Sequence, residues 1–213
     1  MRLGLRTTKN VSKKFRVMGY AAYGFHDRKF KGGGTFEYVF STEPTRKLTL
    51  TAKHDVIQLG QGTSAILTES NIFNSIFARS PDKKMSPVTE FSLRYDREIA
   101  AWMNTSFSLE SIRIGANRFV PMVTPEGERW SSLLSNQFHW QGRFSFKESV
   151  TRGVFDKGYM YTKYPVITID LSGALSDIAK TDFSYFRSEL SIDYRVPVTP
   201  LGIARFHFNA LPA

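Results

Sequence analysis

Between residues 137 and 147 the chain alternates without exception. Phe138, Trp140, Gly142, Phe144 and Phe146 take one set of positions, and Gln137, His139, Gln141, Arg143, Ser145 and Lys147 take the other. Successive side chains of an extended strand point to opposite faces, so this is a strand with one apolar and one polar face. A second long alternation sets Phe186, Ser188, Leu190, Ile192, Tyr194 and Val196 against Arg187, Glu189, Ser191, Asp193 and Arg195. Looser versions run through 14–25, 33–41, 47–54, 88–97, 104–114, 164–173 and 203–210, with an opening strand at 2–8.

These segments predict about ten strands, separated by turn-forming stretches such as Thr42-Glu43-Pro44-Thr45 and Pro197-Val198-Thr199-Pro200-Leu201-Gly202. No helical period intervenes regularly between them, so parallel βαβ units are excluded and an antiparallel meander is expected. One segment departs: Ile72, Phe73, Ile76 and Phe77 within 68–79 have helical spacing, with Thr68 or Ser70 as N-cap, and predict a short helix in a long loop. Connections alternate in length. Those near 42–46, 98–103 and 197–202 are short and those near 55–86, 115–133 and 174–183 long, whereas 149–163 is longer than this rhythm wants.

Strand length and face composition decide between a soluble sandwich and a membrane barrel. Sandwich strands average roughly five or six residues, and spanning strands need about nine to eleven. Several segments reach the spanning length, their apolar faces are rich in Phe, Tyr and Trp, and their polar faces carry charges that a hydrated lumen accommodates. The sequence is therefore read as all-β, a meander of about ten strands forming part of a transmembrane β-barrel, with residues 1–213 as one domain. Phe138, Trp140, Phe144, Phe146, Phe186, Leu190, Ile192 and Tyr194 are expected to face lipid. Gln137, His139, Gln141, Arg143, Lys147, Arg187, Glu189, Asp193 and Arg195 are expected to face the lumen. The competing reading fills an ordinary β core with the aromatics and solvates the charged face.

Composition adds charge to this picture. Lys and Arg number 29 against 19 Asp and Glu, a formal net charge of +10, which favours anionic partners such as lipid phosphate or lipopolysaccharide. There is no cysteine, so neither disulfides nor thiolate metal sites enter. No run of about 18 apolar residues is present, as holds for strands that expose apolar side chains only at alternate positions. The opening Met1-Arg2-Leu3-Gly4-Leu5-Arg6 lacks a secretory signal and the closing Ala210-Leu211-Pro212-Ala213 lacks a terminal aromatic, so the chain is expected to be part of a longer barrel.

The candidate chemistry is thin. Gly60-Gln61-Gly62-Thr63-Ser64-Ala65 formally matches a dinucleotide fingerprint, but the parallel strand that should follow is replaced by another hairpin strand. Gly32-Gly33-Gly34 lacks the Gly-Lys-Ser/Thr ending of a phosphate loop and is read as a hairpin or kinked strand end. His26, His54, His139 and His207 lie far apart, without metal-ligand spacing. Glu90, Asp96, Glu110, Asp170, Glu189 and Asp193 could act as acid/base partners, but pairing with Arg94, Arg113, Arg143, Arg187 and Arg195 across strands is the simpler expectation. Lys13-Lys14-Phe15-Arg16 and residues 26–31 mix basic and aromatic side chains as a nucleic-acid strand would require, yet a solvated surface or lipid headgroups are the simpler account of them. No catalytic, cofactor-binding or metal residues are assigned, and no nucleic-acid partner is expected.

Four segments carry a family resemblance. They are Tyr20-Ala21-Ala22-Tyr23-Gly24-Phe25-His26-Asp27-Arg28-Lys29-Phe30-Lys31-Gly32-Gly33, Arg79-Ser80-Pro81-Asp82-Lys83-Lys84, Glu90-Phe91-Ser92-Leu93-Arg94-Tyr95-Asp96-Arg97-Glu98 and Lys163-Tyr164-Pro165-Val166-Ile167-Thr168-Ile169-Asp170. They resemble Bacteroidetes outer-membrane proteins that join an N-terminal carboxypeptidase-regulatory-like domain to a C-terminal barrel of unknown function. The resemblance runs over most of the chain and implies a bacterial outer-membrane location and no peptidase residues. Its implied partners are outer-membrane lipid and the remaining barrel strands. The expected role is structural, transport or surface assembly. The alternatives are a soluble all-β module that holds an anionic polymer, and a barrel-borne hydrolase using His139 or Glu189.

Overall fold

A computed structural model describes residues 1–25, 29–58, 85–117, 121–123, 127–175, 181–198 and 202–210. Ten strands form one antiparallel sheet: β1 (Arg2–Arg6), β2 (Phe15–Gly24), β3 (Lys29–Thr42), β4 (Thr45–Gln58), β5 (Met85–Ala100), β6 (Met103–Gly115), β9 (Ser132–Ser145), β12 (Val166–Ala174), β13 (Tyr185–Val198) and β14 (Gly202–Ala210). Every strand pairs with its predecessor in this order, and the sheet is open, with β1 and β14 at its edges. Two small ribbons sit in connections, β7 (Met122–Val123) with β8 (Arg129–Trp130), and β10 (Ser149–Arg152) with β11 (Lys157–Tyr161). No helix occurs among the described residues, and the helix expected at 68–79 lies outside them, as does the glycine motif at 60–65.

Each predicted strand corresponds to one of the ten, and most run longer than the alternation that announced them. β3, β4, β9 and β13 have 14 residues each, β5 has 16 and β6 has 13. The β4–β5 ladder runs from Arg46↔Arg97 to Gln58↔Met85, through positions where polarity no longer alternates. Ladder hydrogen bonds join backbones, so they continue past the point where the side-chain pattern lapses.

The register carries the parity of each strand across the sheet. Thr49, Arg94, Ser108, His139, Ser172 and Arg187 form one cross-strand row, and Leu50, Leu93, Leu109, Phe138, Gly173 and Phe186 form the next, on the opposite face. Gly32, Gly33 and Gly34 lie inside β3, paired on both sides, and do not form the hairpin or strand end expected of them. A Cβ on Gly33 would stand 2.9 Å from the Tyr20 ring and 3.2 Å from the Ala52 carbonyl, so the sheet there is packed too closely for a side chain.

Burial is inverted relative to a soluble sheet. Among the described residues the buried hydrophobic side chains are only Val39, Val88 and Ala174, while Arg16, Glu37, Glu98, Ser106, Ser108 and Ser145 are buried. Phe30, Phe91, Phe107, Leu109, Phe186, Phe206 and Phe208 are exposed. All seven stand on the apolar face.

Candidate functional site

The polar face gathers its interactions around the connection that was too long for the rhythm. Residues 149–161 fold back as the β10–β11 hairpin, turned at Gly153, whose N–H donates to the Asp156 carbonyl at 2.8 Å. At its tip the Asp156 carboxylate accepts two hydrogen bonds from Arg16 of β2, at 2.8 and 2.9 Å, and the buried Arg16 also pairs with Glu37 of β3. Midway, Arg152 donates to both carboxylate oxygens of the buried Glu98 of β5, at 2.9 and 2.8 Å, and to the Thr42 carbonyl at 3.2 Å.

Lys157 lies 3.3 Å from Glu98 and donates to Asn104 Oδ1 at 3.2 Å. At the hairpin base Arg143 of β9 is bidentate to Glu148, at 2.6 and 2.8 Å, and its guanidinium lies 3.9 Å from the Tyr159 ring centroid. Arg195 of β13 reaches the Met160 carbonyl at 3.1 Å.

Arg16 of β2 and Arg195 of β13 stand on strands seven spacings apart in the sheet, so one hairpin is held from both sides of its polar face.

The charges are stabilised as ions. The Arg16 hydrogen bonds hold the Asp156 carboxyl below its ordinary value, outweighing its burial. Burial pushes Glu148 upward, but the bonds from Arg143 and Ser145 prevail and its pKa falls. Hydrogen bonding to Glu98 raises Arg152 further, and burial raises the Tyr159 phenol.

Beneath the hairpin lies a cavity of about 440 Å³, bounded by Lys47, Thr49, Arg94, Ser106, Gln141 and Tyr159 among others. Four of the cations that line it are paired: Lys47 with Glu37, Arg94 with Asp96, Arg143 with Glu148 and Lys157 with Glu98. A groove of about 760 Å³ crosses the apolar face, where Gly34, Ala52 and Gly173 leave room between Phe36, Leu50, Leu93, Leu109 and Phe138.

Gln137, His139, Gln141 and Arg143 of β9 share the polar face with Arg187, Glu189, Asp193 and Arg195 of β13, joined through β12. His139 Nε2 lies 3.1 Å from Asp170 Oδ1, to which Gln141 also donates at 2.9 Å. Gln137 donates to Glu110 at 2.8 Å. Phe138, Trp140 and Phe144 share the apolar face with Phe186, Leu190, Ile192 and Tyr194. Phe146 and Lys147 fall past the end of β9, Lys147 in the left-handed region at φ 48°, so the strand stops two residues before its alternation does. Phe146 stacks on Trp102, and Lys147 lies over the Tyr164 ring.

The expected ion pairs form with different geometry. Arg94–Asp96 and Arg187–Glu189 pair along one strand, Glu90 pairs with Lys53, and Asp193 with Arg205 and His207. Opposite charges face one another directly at Arg16↔Glu37, Lys53↔Glu90 and Asp193↔His207, whereas Asp170↔Glu189 sets like charges opposite.

Among the described residues no group of three His, Asp or Glu side chains is placed to hold a metal ion. Sequence reasoning missed Glu37, Glu98, Glu148, Arg152 and Asp156. The length of the 149–163 connection was their one signal. Comparison with protein-family models, with curated proteins and with solved structures returned no match.

Proposed function

We propose that this chain is a membrane-spanning β-sheet of a bacterial outer-membrane barrel, serving a structural, transport or surface-assembly role and not catalysis. The observation that carries the reading is the inverted burial: carboxylates and guanidiniums buried and paired on one face, aromatic and aliphatic side chains exposed across the other. Each large apolar side chain left in water costs on the order of 1 kcal/mol, and a contiguous face of them far exceeds the patches that soluble monomers carry. Lipid acyl chains remove that cost.

Strands of 13 to 16 residues suffice for the crossing. Aromatic clusters near strand ends, Tyr23 with Phe25 and Phe30, and Trp102 with Phe144 and Phe146, suit the two membrane interfaces. The open edges at β1 and β14 accept further antiparallel strands, the role given to the remaining strands of a full barrel. The resemblance to the Bacteroidetes outer-membrane family rests on the four segments quoted above and agrees with this reading.

Fluorescence of Trp102 and Trp140 in phospholipid vesicles, with the third tryptophan removed as Trp130→Phe, tests it. Lipids brominated along their acyl chains should quench both indoles. A chain that sediments with the aqueous fraction and shows no quenching would overturn the proposal in favour of a soluble module for anionic polymers, to which the +10 charge is otherwise suited.

A further inference from the structure

We propose that the β10–β11 hairpin is a latched gate: it closes the polar side of the sheet at the short-turn end, and releasing its two arginine–carboxylate latches opens a water-filled path along that face. The inference rests on the membrane reading above, because only there is the polar face a passage.

The paired ends of β3 and β4, of β5 and β6, and of β13 and β14 lie at one end of the sheet, and the connection 146–165 leaves at the same end. A connection at that end needs only a few residues to join β9 to β12. This one spends its length on a hairpin laid across the polar face, from Arg16 on one side to Arg195 on the other. Its attachments are nearly all charge-assisted hydrogen bonds, at Arg16–Asp156, Arg152–Glu98 and Arg143–Glu148. Charge-assisted pairs give directional strength but can be exchanged for water without tearing an apolar core, which suits an element that must leave.

The partners on the sheet keep a second contact when the hairpin departs. Arg16 keeps its counter-charge Glu37, and Glu98, which loses Arg152 and Lys157, keeps the Thr45 N–H and gains the water that enters the opened path. Ser106, 7 % exposed, bounds the cavity that the hairpin covers.

The absence of cysteine makes thiol labelling a direct assay. Ser106→Cys reports the covered face, Lys13→Cys in the exposed β1–β2 connection is the reference, and Phe107→Cys reports the apolar face. Each is labelled with a membrane-impermeant maleimide in phosphatidylethanolamine/phosphatidylglycerol vesicles permeable to the reagent.

With the latches intact, the Ser106 position should react about ten-fold or more slowly than the Lys13 position. Asp156→Ala with Arg152→Ala should raise it several-fold while leaving the reference unchanged. The Asp156 side chain is 68 % exposed, so its removal does not empty the fold. Replacing 149–161 by a short turn provides a second opening.

The proposal is overturned if the Ser106 position reacts as fast as the reference with intact latches, or stays slow in both opened variants. Rapid labelling at the Phe107 position would instead sink the membrane reading. The Ser106 contrast would still report whether the hairpin moves.

Discussion

At the scale of single residues, the proposed membrane setting implies that the polar face accepts a new charge at lower cost than the middle of the apolar face. Phe107 is 44 % exposed on the apolar face near the middle of β6. Arginine there should lower unfolding free energy in vesicles by about 2–4 kcal/mol, whereas Ser191→Arg on the polar face should cost under about 1. Urea unfolding in lipid measures both, and equal losses would argue against a lipid-facing sheet.

Ser145 cannot serve as the polar comparison that its sequence position invites. It is 1 % exposed, with its N–H bonded to Trp102 and its hydroxyl accepting from Arg143. Gly33 is constrained in another way. Alanine there must displace the Tyr20 ring, which is tied to Asp55 by a 2.6 Å hydrogen bond, or the Ala52 carbonyl of the neighbouring strand. Gly33→Ala should therefore destabilise by about 1–3 kcal/mol. Alanine at Gly19, whose Cβ would meet only the Gly33 carbonyl at 3.4 Å, should cost less under the same assay.

Elements follow from the alternation wherever an element is a strand of the sheet. The 137–147 and 186–196 patterns announced β9 and β13 because a one-residue slip would turn every side chain to the wrong face, which ties register to polarity. The hairpin was not legible in the same way. β10 and β11 are short, carry no clean alternation and owe their place to charges 140 residues away in sequence, as in Arg16–Asp156.

Arg143 shows the consequence. Its place on the polar face was readable, but its partner Glu148 was not. Arg143→Met leaves Glu148, whose side chain is 7 % exposed, without its bidentate partner. A loss of roughly 3 kcal/mol is expected in chemical unfolding, and Arg143→Met with Glu148→Met should recover most of it. A double variant as unstable as the single one would refute that attribution.

For the whole molecule, pH and salt act mainly through the hairpin. Asp156 titrates below its ordinary value of 3.8 because the folded state favours its charged form. Its contribution is therefore complete above the unfolded value and is lost as pH falls through the lower, folded one. Arg16, Lys47 and Arg6 act on it and remain cationic throughout. Hydrogen exchange across 150–161, corrected for intrinsic rate, should be flat from pH 5 to 8 and accelerate only below about pH 4. A midpoint near neutrality would mean that some other group controls the hairpin.

Strand number, antiparallel order, the two chemically opposed faces and the odd length of the 149–163 connection were all determined by the sequence. Each is a local property, set by the period of two and by turn residues. The tertiary structure decided which carboxylates meet which arginines, that the glycine run lies inside a strand, and that the long connection turns back over the polar face. Those outcomes depend on which segments far apart in the chain are brought near one another, and side-chain periodicity carries no information about that distance.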